Sequence, residues 1–181
     1  LTLSKASGDV NLGGNLTITG TLTMGGGDLI TNGDVENIIV DGPISMQSGQ
    51  IVLQAAKGLE LNASINAGTG SVVMLGGGVQ DVYGNCSLID AGDADVHISA
   101  GTGIAGIRIR TTGNVTLDAG GGGIVSCERE PGSPPQIDIE AGRLTLLAGA
   151  SVGRALLLGG KLNVVEPLRT KVTSIDGSVG G

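Results

Sequence analysis

Short runs in which apolar and polar residues alternate return along this chain about every 20 residues, each closed by glycine or another small residue. Val96-His97-Ile98-Ser99, Ile107-Arg108-Ile109-Arg110 and Val115-Thr116-Leu117-Asp118 are clear examples. Alternation puts one set of side chains on each face of a strand, and glycine lets the backbone turn without a Cβ penalty. No run is long enough for a helix, and no helix-sized connection joins one run to the next. Val10, Leu29, Ile51, Val72, Val96, Val115, Ile137 and Leu156 mark strand starts separated by about 19 to 24 residues, the range of stacked repeats. A second series, Leu59-Glu60-Leu61, Val79-Gln80, Ile107-Arg108-Ile109, Leu144-Thr145-Leu146 and Leu162-Asn163-Val164, reads as a second sheet. A third, Leu22-Thr23-Met24, Ile44-Ser45-Met46, Ser64-Ile65 and Ser87-Leu88-Ile89, closes each coil. The expectation is an all-β chain, a right-handed parallel β-helix (β-solenoid) of about eight coils. At about 4.8 Å per rung it forms a rod roughly 40 Å long.

Composition narrows the function. The chain has no Phe or Trp, and Tyr83 is its only aromatic residue. Ligand pockets are usually lined with aromatics, so this argues against a small-molecule site and against a sugar-stacking surface. The 35 glycines separate aliphatic runs, which is a corner pattern rather than a linker pattern. A net charge of −7 disfavours nucleic acid and anionic membranes, which need clustered Lys and Arg. Only Arg108 and Arg110 come close together on one strand face. No apolar run is long enough to span a bilayer. The chain starts at Leu1 with no charged-then-apolar leader, and is read as a processed product or a segment of something longer.

The unbroken period makes residues 1–181 a single β-solenoid domain. Residues 32–42, rich in turn formers, are expected to bulge from it. Residues 127–135, CEREPGSPP, form the marked interruption, because adjacent prolines cannot sit in a central strand. A loop excursion is expected there. After residue 166 the sequence turns polar and reads as a tail.

Gly113-Asn114-Val115-Thr116-Leu117-Asp118-Ala119-Gly120-Gly121, Gly14-Asn15-Leu16-Thr17-Ile18 and Asp90-Ala91-Gly92-Asp93-Ala94-Asp95-Val96 resemble the repeats of filamentous-haemagglutinin-type exoproteins. Those are secreted bacterial adhesins built as long right-handed β-helices, and the resemblance covers most of residues 8–165. Their secretion domain carries Asn-Pro motifs and this chain has no Asn-Pro pair, so the resemblance implies shaft repeats rather than a secretion signal. It implies no catalytic residues.

Asp118 and Glu140 share a phase on what read as successive coils. Paired carboxylates on adjacent rungs suit acid–base cleavage of a polysaccharide, with Arg108 and Arg110 to meet a sugar acid. A solvated acidic edge that discourages lateral aggregation is the competing account, and the one preferred. His97, the only histidine, is placed on an outer strand face with no nameable partner. Gly120 to Gly123 lack the Asp that a calcium-binding Gly-Gly-x-Gly-x-Asp repeat requires, and no phosphate-binding or nucleophile-elbow motif is present. No catalytic, cofactor-binding or metal site is therefore assigned. Asn15, Asn62, Asn85 and Asn114 lie in glycosylation sequons, although Asn at a corner before a Thr-bearing strand creates that motif automatically. Cys86 and Cys127 fall two coils apart by phase, near 10 Å between Cα atoms and beyond the roughly 7 Å disulfide limit. No bridge is expected, and both read as small core or corner fillers.

The reading that emerges is a structural or adhesive fibre element, extracellular or at the cell surface, in contact with carbohydrate or a host surface. The alternatives are a carbohydrate-active β-helix using the Asp118/Glu140 edge and a bactofilin-like intracellular polymer. Neither end shows a polar cap, so head-to-tail stacking of solenoid ends is expected.

Overall fold

The computed structural model describes residues 3–31, 35–76, 82–127, 136–150, 152, 154–158, 161–166 and 168–179, with backbone only for 3–5 and 154–166. All of the expected 127–135 loop beyond Cys127, the strand at Val79-Gln80 and the first part of the expected 32–42 bulge lie outside these residues. Among the described residues there is no helix.

The chain winds through three strands per coil. The first coil has β1 (Leu3–Lys5), β2 (Val10–Leu12) and β3 (Leu16–Ile18). The second has β4 (Leu22–Met24), β5 (Leu29–Thr31) and β6 (Asn37–Val40), and the third has β7 (Ile44–Met46), β8 (Ile51–Ala55) and β9 (Gly58–Leu61). Then follow β10 (Ile65–Asn66), β11 (Val72–Gly76), β12 (Val82–Asp90), β13 (Val96–Ala100), β14 (Gly103–Arg110), β15 (Asn114–Asp118), β16 (Gly123–Val125) and β17 (Ile139–Ala148). Three more strands complete the chain: β18 (Arg154–Leu158), β19 (Lys161–Glu166) and β20 (Thr170–Val179). Every pairing except β18–β19 is parallel, as expected when each strand stacks on its counterpart one turn away. This is a β-solenoid.

One ladder runs Val10, Leu29, Ile51, Val72, Val96, Val115, and those are the first six expected strand starts. Five successive pairings join them, so the regular part has about five turns, fewer than the eight expected. The last two marks are wrong. The ladder passes from Val115 to Leu144 and then to Ile175, bypassing Ile137. Leu156 belongs to the antiparallel hairpin β18–β19. The third series is confirmed as one ladder, Leu22–Ile44–Ile65–Ile89. The second series mixes faces: Leu59 stacks on Ile38 and Val82, Ile109 on Ile89 and Ile139, and Leu144 on Val115. Residues 37–40 form β6 within a ladder rather than a bulge. The polar stretch after residue 166 supplies β20, a ten-residue rung beside β17.

Inward positions fill a narrow aliphatic core. Leu53, Met74 and Ile98 lie one above another, fully buried, and Leu117 stacks on Ile98. Thr31 takes one such position, and its hydroxyl accepts from the Gln54 amide at 2.6 Å and donates to the Gln54 carbonyl at 3.1 Å. The corners stack as tightly as the strands. Gly27 (φ +87°) and Gly49 (φ +104°) lie over Gly8 and Gly27 in turn, where a Cβ would overlap the carbonyl beneath. These positions demand glycine twice over, for backbone conformation and for space.

Candidate functional site

Register brings together side chains that are far apart in sequence. On the face carrying β10, the last residues of β12 and β14, the start of β17 and β20, the outward ladder reads Asn66, Asp90, Arg110, Glu140, Lys171. Signs alternate along it. Arg110 donates from a guanidinium nitrogen to the Asp90 carboxylate, and Lys171 Nζ donates to Glu140 Oε1 at 2.5 Å. That hydrogen bond from Arg110 outweighs desolvation and holds the Asp90 carboxyl below the usual carboxylate range; Asp90 in turn raises Arg110. Arg143 and Asp176 form a further pair at 2.6 Å. All these pairs are solvent-exposed, so each adds little stability, but unlike charges on adjacent rungs fix which coil stacks on which.

The structure separates Asp118 from Glu140. Asp118 is the register partner of Leu147, on another face, and its Oδ1 accepts from the Gly120 amide at 3.0 Å to close a turn. Glu140 stacks on Arg110 and is paired with Lys171. The two carboxylates therefore do not make the adjacent-rung pair that spacing suggested. The cause is the turn after β15: Asp118 to its true partner spans 29 residues, against the 22 that lead to Glu140. Arg108 and Arg110 do share a strand face with a shallow groove bordered by Gln136, Ile137 and Glu140. Arg108 Nε is buried there without a hydrogen bond. His97 points outward between Val73 and Thr116, so its register neighbours are not His, Cys, Asp or Glu. Among the described residues no three His, Cys, Asp or Glu side chains are grouped to hold a metal ion.

Corner carboxylates and amides receive backbone donors from the next coil. Asp9 Oδ1 accepts from the Asp28 amide at 3.0 Å, Asp28 Oδ1 from the Gln50 amide at 2.8 Å, and Asp95 Oδ1 from the Asn114 amide at 2.7 Å. These three aspartates thus serve as coil-to-coil caps. Two sequon amides are engaged in the same way. Asn114 Nδ2 donates to Asp95 at 3.0 Å, and Asn62 Nδ2 donates to Asp41 at 2.9 Å and to Glu60 at 2.8 Å. Asn15 Oδ1 accepts from the Asn37 amide at 3.4 Å, and Asn85 lines a cleft.

That cleft opens on the third face, where the second inward position falls from Leu61 to Gly84 and then Gly106. Tyr83, Asn85, Cys86 and Ser126 border it, around a volume of about 390 Å³. Cys86 and Cys127 are both held as thiols, yet Cys127 is hydrogen-bonded to Cys86. The expectation that two rungs keep their side chains out of reach of each other is corrected by this hydrogen bond. Burial, followed by this contact, pushes the Cys127 thiol well above its ordinary range.

At both ends of the described solenoid, apolar ladder positions are exposed or half-buried. Ile175 occupies the ladder position at which Leu144 is fully buried, yet it is 56 % exposed. In the first coil Val10, Leu12 and Leu16 are only half-buried, although Leu29 and Ile38 one turn on are fully buried.

These features define the class: a parallel β-solenoid with an aliphatic core and ladders of paired polar residues outside. Comparison with family models, with curated proteins and with solved structures finds no match.

Proposed function

We propose that this chain is a structural or adhesive extracellular fibre element, a rod that stacks end to end or forms part of a longer shaft of the filamentous-haemagglutinin type. The exposed and half-buried apolar positions at the two ends of the described solenoid support the reading. Ile175 and Val179 on β20 are more than half exposed, and among the described residues β20 pairs only with β17. A ten-residue parallel strand with one free edge is a template for another strand. The half-buried first coil offers the complementary surface. Because the two ends differ, the contact is heterologous and propagates rather than closing as a dimer. The sugar-acid alternative loses its Asp118/Glu140 pair, since those residues lie on different faces.

The test is sedimentation of the wild-type chain and of a Val172→Lys, Ile175→Lys variant across a concentration series, with negative-stain microscopy of both. Concentration-dependent fibres that the variant abolishes support stacking. A wild-type chain that stays monomeric at high concentration refutes it. Incubation with uronic-acid polymers is expected to release no reducing ends, and release that disappears in Asp118→Asn would favour the carbohydrate-active alternative.

A further inference from the structure

We propose that Cys86 and Cys127 form a reversible disulfide under mild oxidation, a staple joining β12 to the chain where it leaves β16. Three features bring the two side chains together. First, β12 bulges here. Between the pairs Tyr83–Ala105 and Ser87–Ile107, β12 carries Gly84, Asn85 and Cys86 while β14 carries Gly106 alone. The extra length lifts Cys86 out of its rung, and among the described residues it is the one non-glycine with positive φ, at 56°. Second, Cys86 borders the same cleft as Ser126, the residue before Cys127, with Gly106 between them contributing no side chain. Third, Cys127 lies two residues past Val125, the last paired residue of β16, and is not fixed by the ladder. The Cys127 side chain is hydrogen-bonded to Cys86 there.

The two cysteines differ in access, which sets the order of events. Cys86 is half-exposed and borders the cleft, whereas Cys127 is 2 % exposed. With glutathione disulfide as oxidant, the Cys86 thiolate attacks one sulfur of the reagent. The reagent's S–S bond breaks and one glutathione leaves as thiolate. Cys127 then gives its proton to solvent and attacks the Cys86 sulfur, expelling the second glutathione. Two protein thiols are oxidised, and one glutathione disulfide takes up two electrons and two protons to give two glutathiones. Asp138 opposes the Cys127 thiolate more than Arg108 favours it, and burial opposes it further, so this second attack is the slow step. A bond made across a strained bulge is expected to be readily reducible.

The experiment treats the full folded chain with glutathione disulfide, then counts reactive thiols in denaturant and measures intact mass and thermal midpoint. Loss of both thiols without a glutathione adduct, in a monomer, supports the staple. So does a midpoint raised by roughly 5 to 10 °C that dithiothreitol reverses. Cys127→Ser is expected to stop at a stable glutathione adduct on Cys86, with no such rise. Two thiols surviving in the wild type, a lasting adduct on wild-type Cys86, or a disulfide between chains overturns the proposal.

Discussion

Two glycines with similar backbone angles separate the cost of conformation from the cost of coil stacking. Gly14 has φ +77° and a Cβ built on it meets nothing within 4 Å; Gly120 has φ +52° and a Cβ built on it lies 2.5 Å from the Gly101 carbonyl oxygen and 2.8 Å from that of Ala100. An alanine at either site accepts a left-handed conformation costing about 1–2 kcal/mol, partly offset by about 0.4–1 kcal/mol from a less flexible unfolded chain. Gly14→Ala is therefore expected to cost about 1 kcal/mol or less. Gly120→Ala bears the same terms and must also push a neighbouring backbone rung away by nearly 1 Å. The atoms in its way are backbone carbonyls that both coils use, so no side chain can swing clear. Overpacking of this kind costs about 1–3 kcal/mol more. Urea unfolding reads the difference. With a slope of about 2 kcal/mol per molar, Gly120→Ala should lower the midpoint by about 1 M or more, and Gly14→Ala by less than half of that. Equal shifts for the two variants would refute close stacking of the corners.

Ile98→Ala removes a fully buried rung of the Leu53–Met74–Ile98–Leu117 stack and is expected to cost about 2–5 kcal/mol in the same assay, whereas His97→Ala on the outer face should stay within about 0.5 kcal/mol. Because the folded-state pKa of Asp90 is depressed by Arg110, the pair stabilises the fold above the ordinary carboxylate range and loses that contribution as pH falls through the lower folded value. Wild type should therefore exceed Asp90→Asn in thermal midpoint near neutrality by a small margin, in keeping with exposed partners, and the two should converge in strong acid. A gap that persists or widens on acidification would contradict this.

The strand starts from Val10 to Val115 were legible because β-branched and leucine residues alternate with polar ones between glycine corners of nearly constant length. The ladder was lost after Val115, where the turn lengthens to 29 residues and includes residues 128–135. Spacing alone then put Glu140 above Asp118 when it belongs above Arg110. Alternation also cannot tell a solenoid rung from a hairpin arm, so Leu156 and Leu162 looked like coils. In the sequence, a Gly-Gly pair between two alternating runs, as at 159–160, is a signal for a hairpin rather than a solenoid rung. The three-sidedness was blurred because β12 and β14 each run round a corner without a break, supplying two faces from one strand. Neither the charge ladder nor the thiol contact was visible beforehand. Both depend on register and on a bulge, and a bulge changes register without changing the apolar pattern.

Register is the claim on which everything else rests, and paired nitroxide labels measure it directly. In a chain with Cys86 and Cys127 replaced by serine, labels at His97 and Thr116 occupy outward positions on adjacent rungs, about 4.8 Å apart along the stack. Labels at Asp118 and Glu140 occupy different faces. Electron paramagnetic resonance should show strong dipolar broadening for the first pair and little for the second. Broadening in the Asp118–Glu140 pair and none in the His97–Thr116 pair would contradict the ladder.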